Sequence, residues 1–266
     1  MDAALDPAVF NAVRALVHQR AGIAIADSKV ALVSARLSQR LRALGLTDAR
    51  AYLKLLSGPG SEDELVLLLD AISTNTTSFF REESALLAVV DLFRQRLAAG
   101  QTRFRIWCAA SSTGEEPYSL AMLFDDAAKG RAVDLAMLAT DISTRVLERC
   151  RAGIYPAECR TRIPAALHRY LQPHGADTIQ IDPRLRALIT FNRLNLNQQP
   201  FPMKGPFDAI LCRNVMIYFD QDVRSRLVTA LAGLLTPGGL LAIGAAESLS
   251  GLPHSLTTVR PAVYRR

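Results

Sequence analysis

The chain has 266 residues, half of them hydrophobic, which is enough to bury a substantial core in one large or two modest domains and excludes a disordered chain. A formal net charge of +6 points to an acidic partner. Four widely spaced cysteines (Cys108, Cys150, Cys159, Cys212) exclude a disulfide framework, and Pro237, Gly238 and Gly239 interrupt the most apolar stretch, LLTPGGLLAIGAA, which excludes a membrane span.

The N-terminus, MDAALDPAVF, lacks the basic-then-apolar pattern of a signal segment, so the expected location is cytoplasmic, with reduced thiols. Residues 1–57 carry eight Lys and Arg against four Asp, a surplus of 8 − 4 = +4. Their only aromatics are Phe10 and Tyr52, so stacking platforms for nucleic acid are missing there. Residues 1–70 read as an all-helical domain. Within 27–46, Leu32, Val33, Leu37, Leu41 and Leu44 recur at helical spacing, while Lys29, Arg36 and Arg40 fall on another side, giving an amphipathic helix with a basic face. Asp27 or Ser28 is the expected cap at its start and Gly45 at its end; SGPGSED (57–63) then breaks the chain before the apolar helix ELVLLLDAI.

STNTTSFFRE, residues 73–82, is a dense polar cluster. If helical, it sets Thr77 and Arg81 on one face, where the Arg81 fork suits a carboxylate. Alternatively Phe79 and Phe80 pack in the core and Arg81 and Glu82 are surface charges. From about residue 103, strands alternate with helices: RFRIWCAA, EEPYSLAMLFDDAAK, DLAMLAT, STRVLERCRAG closed by Gly153, then FDAILCR, DQDVRSRLVTALAGLL, a TPGG turn, LLAIGAA and a final extended run near TTVRPAVYRR. Such alternation predicts an α/β domain with a doubly wound parallel sheet over 71–266. Residues 155–192 break the pattern, and TIQI and LITFNR are expected as short strands of a small insertion.

In open parallel sheets ligands bind beyond the carboxyl ends of the strands. There the sequence places SSTGEE, then Thr140 and Asp141, Asn195 after TFNRLNL, and Arg213 with Asn214. An acid ending the second strand suits ribose hydroxyls, although Asp141 or Ser143 can equally cap the next helix. The loop CAASSTGEEPYS has one glycine, Gly114, and two carboxylates, Glu115 and Glu116, which repel phosphate. A cationic, hydroxyl-bearing ligand such as S-adenosylmethionine fits it better. The other reading is that the two glutamates complement the positive start of the following helix.

Taken together, STNTTSFFRE, RIWCAASSTGEEPYSLAML, ATDIS, GIY, FDAILCRNVMIYFD and LLTPGGLLAIGAAES resemble the CheR family of chemotaxis-receptor glutamate methyltransferases, colinearly over nearly the whole chain. The resemblance implies an N-terminal helical domain, a class I (Rossmann-like) methyltransferase sheet and a small antiparallel β insertion. It implies S-adenosylmethionine as cofactor, S-adenosylhomocysteine as product and no metal. Its cofactor contacts fall on Asn75, Thr77, Arg81, Glu116, Asp141, Asn195, Leu196, Arg213 and Asn214. Asp141 is assigned the ribose, Glu116 the cationic methionine part and Asn195 the adenine edge. Arg81 and Tyr218 would orient the incoming carboxylate, which needs no general base because a glutamate, with a reference pKa of about 4.3, is already ionised at neutral pH.

The implied partner is the acidic, helical cytoplasmic domain of chemotaxis receptors, docked by Arg36, Arg40 and Arg42; these residues without the family context are a solvated face. A regulatory protein or second-messenger domain acting in trans fits the same family, with no nucleic acid and no membrane insertion. Some members tether themselves to a receptor tail through the β insertion; here the corresponding LQPHGADTIQI is short, with Gly175 alone, so methylation without that tether is expected. Competing readings are a nucleic-acid methyltransferase and a non-catalytic sensor of S-adenosylmethionine.

Overall fold

A computed structural model describes residues 5–73 and 75–266. Helices α1 (Pro7–Ala21), α2 (Val30–Ala43), α3 (Ala49–Leu56) and α4 (Glu62–Ile72) close around a core that includes Val13, Val17, Val33, Leu37, Tyr52 and Leu68. Asp6 caps α1 by accepting from Ala8 N at 2.9 Å, with Pro7 in the first turn, and Asp48 caps α3 through Arg50 N at 3.0 Å. The cap expected from Asp27 or Ser28 is absent: residues 27–29 form a 3-10 turn that leads directly into α2, whose N-cap makes no side-chain hydrogen bond.

One expected docking residue is corrected here. Arg40 lies seven residues beyond buried Val33 and so shares its stripe of α2. Its Nε and Nη2 form a fork with the Glu64 carboxylate at 2.9 and 2.6 Å, and Tyr52 OH donates to the same carboxylate at 2.6 Å. With side chains 16% and 10% exposed, Arg40 and Glu64 form an internal clamp between α2 and α4, not a docking surface.

Helix α5 (Glu83–Ala98) introduces the second unit, followed by β1 (Arg103–Cys108), α6 (Glu115–Ala128), β2 (Asp134–Asp141) and α7 (Thr144–Ala152). Then come β3 (Ile154–Pro156), β4 (Leu171–Pro173), β5 (Thr178–Ile181), α8 (Pro183–Ala187), β6 (Ile189–Arg193), β7 (Phe207–Cys212), α9 (Gln221–Gly233), β8 (Leu235–Ile243), β9 (Thr257–Arg260) and β10 (Val263–Arg265). The main seven-stranded sheet has the order β6-β2-β1-β7-β8-β10-β9, parallel from β6 through β8 and antiparallel at β10 and β9. A separate three-stranded antiparallel sheet, β3-β5-β4, is the insertion. Apolar side chains cover both faces of the main sheet, with Phe93, Phe104 and Phe124 on one side and Trp107, Leu227 and Leu231 on the other. Burial on both sides is what continuous runs such as FDAILC, buried at every position, require.

Two expectations change. LITFNR does not belong to the insertion: β6 pairs in parallel with β2 from Met137↔Ile189 to Asp141↔Arg193, as the edge of the main sheet. Its alternating burial, one face covered and one open, is what an edge strand shows, and this set it apart from the continuous runs of the inner strands. TPGG is not a turn but part of β8, whose pairing with β7 slips between Phe207 and Ala209, with Gly238 at φ 72° absorbing the irregularity.

The helical unit sits over the carboxyl ends of the strands. Ile23 bridges Phe219 in antiparallel fashion, Ala24 N donates to Tyr218 O at 2.7 Å, and Asn195 Nδ2 donates to Arg20 O at 2.6 Å. On α4, the Asp70 carboxylate accepts from Thr144 N at 3.0 Å and Thr144 Oγ1 at 2.8 Å, capping α7 across the junction.

Candidate functional site

A cavity of about 320 Å³ opens where the two units meet above the strand ends. It falls within the size range of small-molecule pockets. Its walls include Asn75, Thr77, Arg81, Glu116, Asp141, Asn195, Leu196, Arg213, Asn214 and Tyr218, residues spread over the chain from 75 to 218. The helical unit supplies Ile23 to Ala26, Lys29 and Leu32, so the cavity is lined from both sides.

Local structure explains the gathering. The segment 75–78 is not helical, which overturns the shared helical face expected for Thr77 and Arg81. It runs as an irregular strap across the cavity, tied by Ser112 Oγ donating to Asn75 O at 3.0 Å and by Arg81 Nη1 donating to Thr76 O at 2.9 Å. Phe79 is buried against Tyr155 with ring centroids 4.9 Å apart, anchoring the strap from behind.

After β1 the chain turns through Ser112, at φ 47°, into α6. Gly114 is obligatory in this turn: its φ is 100°, and a Cβ would come within 2.7 Å of Tyr155 OH. The turn aims Ser112 N at Asp141 Oδ2 (2.9 Å), while Ser143 N holds Oδ1 (3.0 Å). Burial pushes the Asp141 carboxyl above the ordinary aspartate range, against the pull of these N–H groups. Held by donors at both oxygens and ending the second strand, Asp141 presents a fixed acceptor to a ligand hydroxyl. Ser143, not Asp141, caps α7, by accepting from Val146 N at 3.4 Å.

Beyond β7, Arg213 is 5% exposed and bridges two carboxylates, Glu116 at 2.6 Å and Glu82 at 3.0 Å. Burial pushes the Glu116 carboxyl up and Arg213 pulls it back. Arg213 Nε is buried without a hydrogen-bond partner among the described residues. Asn214 follows at φ 56°. Its backbone N–H, with those of Gly244 and Ile217, is held by Glu247 at 2.9, 2.6 and 3.3 Å. A Cβ on Gly244 would lie 2.5 Å from Asn214 Nδ2, so only glycine fits beside this turn.

Asn195 borders the cavity with its amide already engaged, Nδ2 on Arg20 O and Oδ1 accepting from Asn197 N at 3.0 Å. Its side chain thereby fastens the wall between the units, and since an amide has a second N–H and a second lone pair, these two bonds do not oppose the adenine contact expected of it. Lys29 and Leu32 lie at the cavity, and Arg36, exposed and seven residues beyond Lys29, continues their stripe. Arg42 is exposed but six residues beyond Arg36, hence on a different side of α2.

Glu82 and Glu247 are the site residues that the sequence reading missed. Glu82 stood in the FFRE cluster and was weighed only as a surface charge, and Glu247 lay in the quoted AAES without a role. Neither carries a local signal in the sequence, because each acts on segments that only the fold brings to it, Arg213 and Ala245 for Glu82 and Asn214 for Glu247. Among the described residues no group of three or more His, Cys, Asp or Glu is placed to hold a metal ion, and no helix is long and apolar enough to cross a membrane.

Comparison with known proteins gives two domain matches, "CheR methyltransferase, all-alpha domain" over residues 8–73 and "CheR methyltransferase, SAM binding domain" over 75–264. Similar proteins include the chemotaxis protein methyltransferase of Escherichia coli (strain K12), 40% identical and covering 98% of this chain and 91% of that protein. Chemotaxis protein methyltransferase 2 of Pseudomonas aeruginosa is 38% identical, covering 96% and 91%. The chemotaxis protein methyltransferase of Borreliella burgdorferi is 34% identical, covering 94% and 91%.

Proposed function

The chain belongs to the CheR methyltransferase family and is an S-adenosylmethionine-dependent methyltransferase, and from that premise we propose that it esterifies glutamate side chains of chemotaxis receptors, releasing S-adenosylhomocysteine. The observation that carries this reading is the convergence of Asp141, Glu116, Arg213, Arg81 and Tyr218 on one cavity roofed by the helical unit.

The donor set fits the cofactor. Asp141 takes the ribose hydroxyls, Leu196 and the apolar edge at Ile23 and Ile142 flank the base, and Glu116 takes the α-ammonium. When bound, the cofactor supplies an activated methyl on a sulfonium. No residue need remove a proton from the substrate carboxylate, which is already an anion at neutral pH. The work of the chain is alignment, and positioning of this kind contributes roughly 7–11 kcal/mol. Arg81, 38% exposed at its side chain, and Tyr218 stand at the cavity where an incoming carboxylate arrives. Arg36 extends the stripe from Lys29 and steers an acidic receptor helix toward it, with Arg42 outside that stripe.

The protein works in the cytoplasm and without a receptor-tail tether. Supporting the latter, the edge strands β3 and β4 of the insertion span three residues each, each ending in a proline (Pro156, Pro173), and short proline-bearing edges are poor templates for an added strand. Titration with a receptor tail peptide tests it: binding that vanishes when residues 173–177 are replaced removes this part of the reading. Regulation by a protein or second-messenger domain in trans remains compatible with the exposed basic faces.

The main test is incubation with cofactor labelled in its methyl group and a panel of receptor cytoplasmic fragments. Base-labile label on receptor glutamates is expected, falling at least tenfold with Arg81→Ala while the fold is retained. Label on nucleic acid, or cofactor binding with no transfer to any receptor fragment, overturns the reading.

A further inference from the structure

Four charged side chains beside the cavity alternate in sign. Glu116 Oε2 is 2.6 Å from Arg213 Nη1, Arg213 Nη2 is 3.0 Å from Glu82 Oε2, and Glu82 Oε1 is 3.7 Å from Arg81 Nε. Glu116, Arg213 and Arg81 line the cavity; Glu82 stands behind its wall. The Glu82 carboxylate also accepts from Asn214 Nδ2 at 3.1 Å and Ala245 N at 2.8 Å. Three cavity residues, Arg213, Asn214 and Arg81, thus meet at one carboxylate that does not itself line the cavity. The backbone bends to allow it: Glu82 at φ 50° and Asn214 at φ 56° are both left-handed, which non-glycine residues adopt where their surroundings over-determine them.

The two ends of the chain of charges differ in sign, an anion at Glu116 and a cation at Arg81. They match the ammonium and carboxylate of a zwitterionic amino acid. Asp141 and Leu196, which serve the nucleoside in the reading above, make no hydrogen bond to Glu82. Removing the charge at Glu82 leaves Arg213 with Glu116 as its one carboxylate partner, so that Glu116 is drawn more tightly to Arg213 and away from a ligand ammonium.

We propose that Glu82 is a positioning residue that sets Arg213, Asn214 and through them Glu116 for the amino-acid end of the cofactor, leaving the nucleoside end untouched. The inference rests on the cofactor reading above and deepens it. Glu82 does not line the cavity, so its effect on binding passes through the side chains it holds there, Arg213 and Asn214 by hydrogen bonds and Arg81 by charge.

The test compares two ligands on the full-length chain by calorimetric titration. S-adenosylhomocysteine carries the amino-acid end, whereas 5′-deoxy-5′-methylthioadenosine keeps the nucleoside and sulfur and lacks it. Glu82→Gln is expected to weaken the first by roughly tenfold or more, the scale of a lost charge-assisted hydrogen bond, and to leave the second within about twofold. Equal weakening of both ligands shows that Glu82 merely shapes the cavity and overturns the proposal, as does unchanged affinity for both. Should Glu82→Gln fail to fold, Arg213→Lys, which keeps one charge but cannot fork between Glu82 and Glu116, is expected to show the same selective loss. A folded wild-type chain that binds neither ligand sinks the cofactor reading itself, a different outcome from an unselective effect of Glu82.

Discussion

Arg36 and Arg40 stand four residues apart on α2 and have opposite fates. Arg36 is exposed on the stripe that begins at Lys29, while Arg40 is locked to Glu64 and Tyr52 inside the helical unit. Exchanging Arg36 for Glu should therefore lower kcat/KM on receptor fragments several-fold, and more at low salt than at high salt, without moving the melting temperature. Arg40→Ala strands Glu64 and should cost about 3 kcal/mol by urea unfolding, the low end for breaking a buried pair. The pH dependence follows from the same contacts. Burial opposes ionisation of Glu64, but the Arg40 fork and Tyr52 OH outweigh it and hold the carboxyl below the usual glutamate value of 4.5. A depressed folded pKa means that this stabilisation is fully present above 4.5 and is lost as pH falls through the folded value. Unfolding curves between pH 3 and 6 check it: the wild type should weaken on acidification, and Glu64→Gln should flatten part of that slope. A slope identical in the two proteins would show that Glu64 does not carry it.

At the scale of elements, much of the architecture was legible because strands buried on both faces read as continuous apolar runs, and the helices between them carry their own signals. FDAILC, DLAMLAT and STRVLERCRAG fall on β7, β2 and α7, with Ser143 at the cap and Gly153 past the end. What escaped reading depended on distant partners. The strand LITFNR was misplaced because an edge strand of the main sheet and a strand of a small insertion look alike until the pairing with β2 is seen. Arg40 was misplaced because its spacing fits either face of α2, and only Glu64, 24 residues on, decides between them. Glu82 and Glu247 had no local signature at all, since their worth lies in turns that the fold brings to them. The Asp70 cap on α7 is of the same kind, reaching across 74 residues to Thr144. Asp70→Ala should cost about 1–2 kcal/mol, as a lost cap does, and in a chain of this size lower the melting temperature by roughly 2–8 °C. Because α7 begins three residues after Asp141, the same change should also weaken cofactor binding; an unaltered affinity would confine Asp70 to stability.

The whole molecule sets its cavity between two units. One wall is the strand ends of the sheet; the other is the segment Ile23–Ala26 with Lys29 and Leu32, held by the Ile23–Phe219 bridge and the Ala24 N–Tyr218 O bond. A ligand that touches both walls stabilises their junction as well as either unit, because opening the junction exposes the ligand's own contacts. At a hundredfold excess over Kd, a ligand that binds only the closed form adds about 2.7 kcal/mol to its stability. Hydrogen exchange therefore distinguishes an interunit ligand from one held by the sheet alone. With S-adenosylhomocysteine bound, the Ala24 amide on the junction should slow together with Ser112 and Ser143 at Asp141, while Thr178 in the insertion, remote from the cavity, should keep its rate. Protection of Ser112 and Ser143 without Ala24 would mean that the helical unit closes over the site independently of the ligand. It would then serve docking of the receptor, through the stripe that runs from Lys29 to Arg36, and not retention of the cofactor.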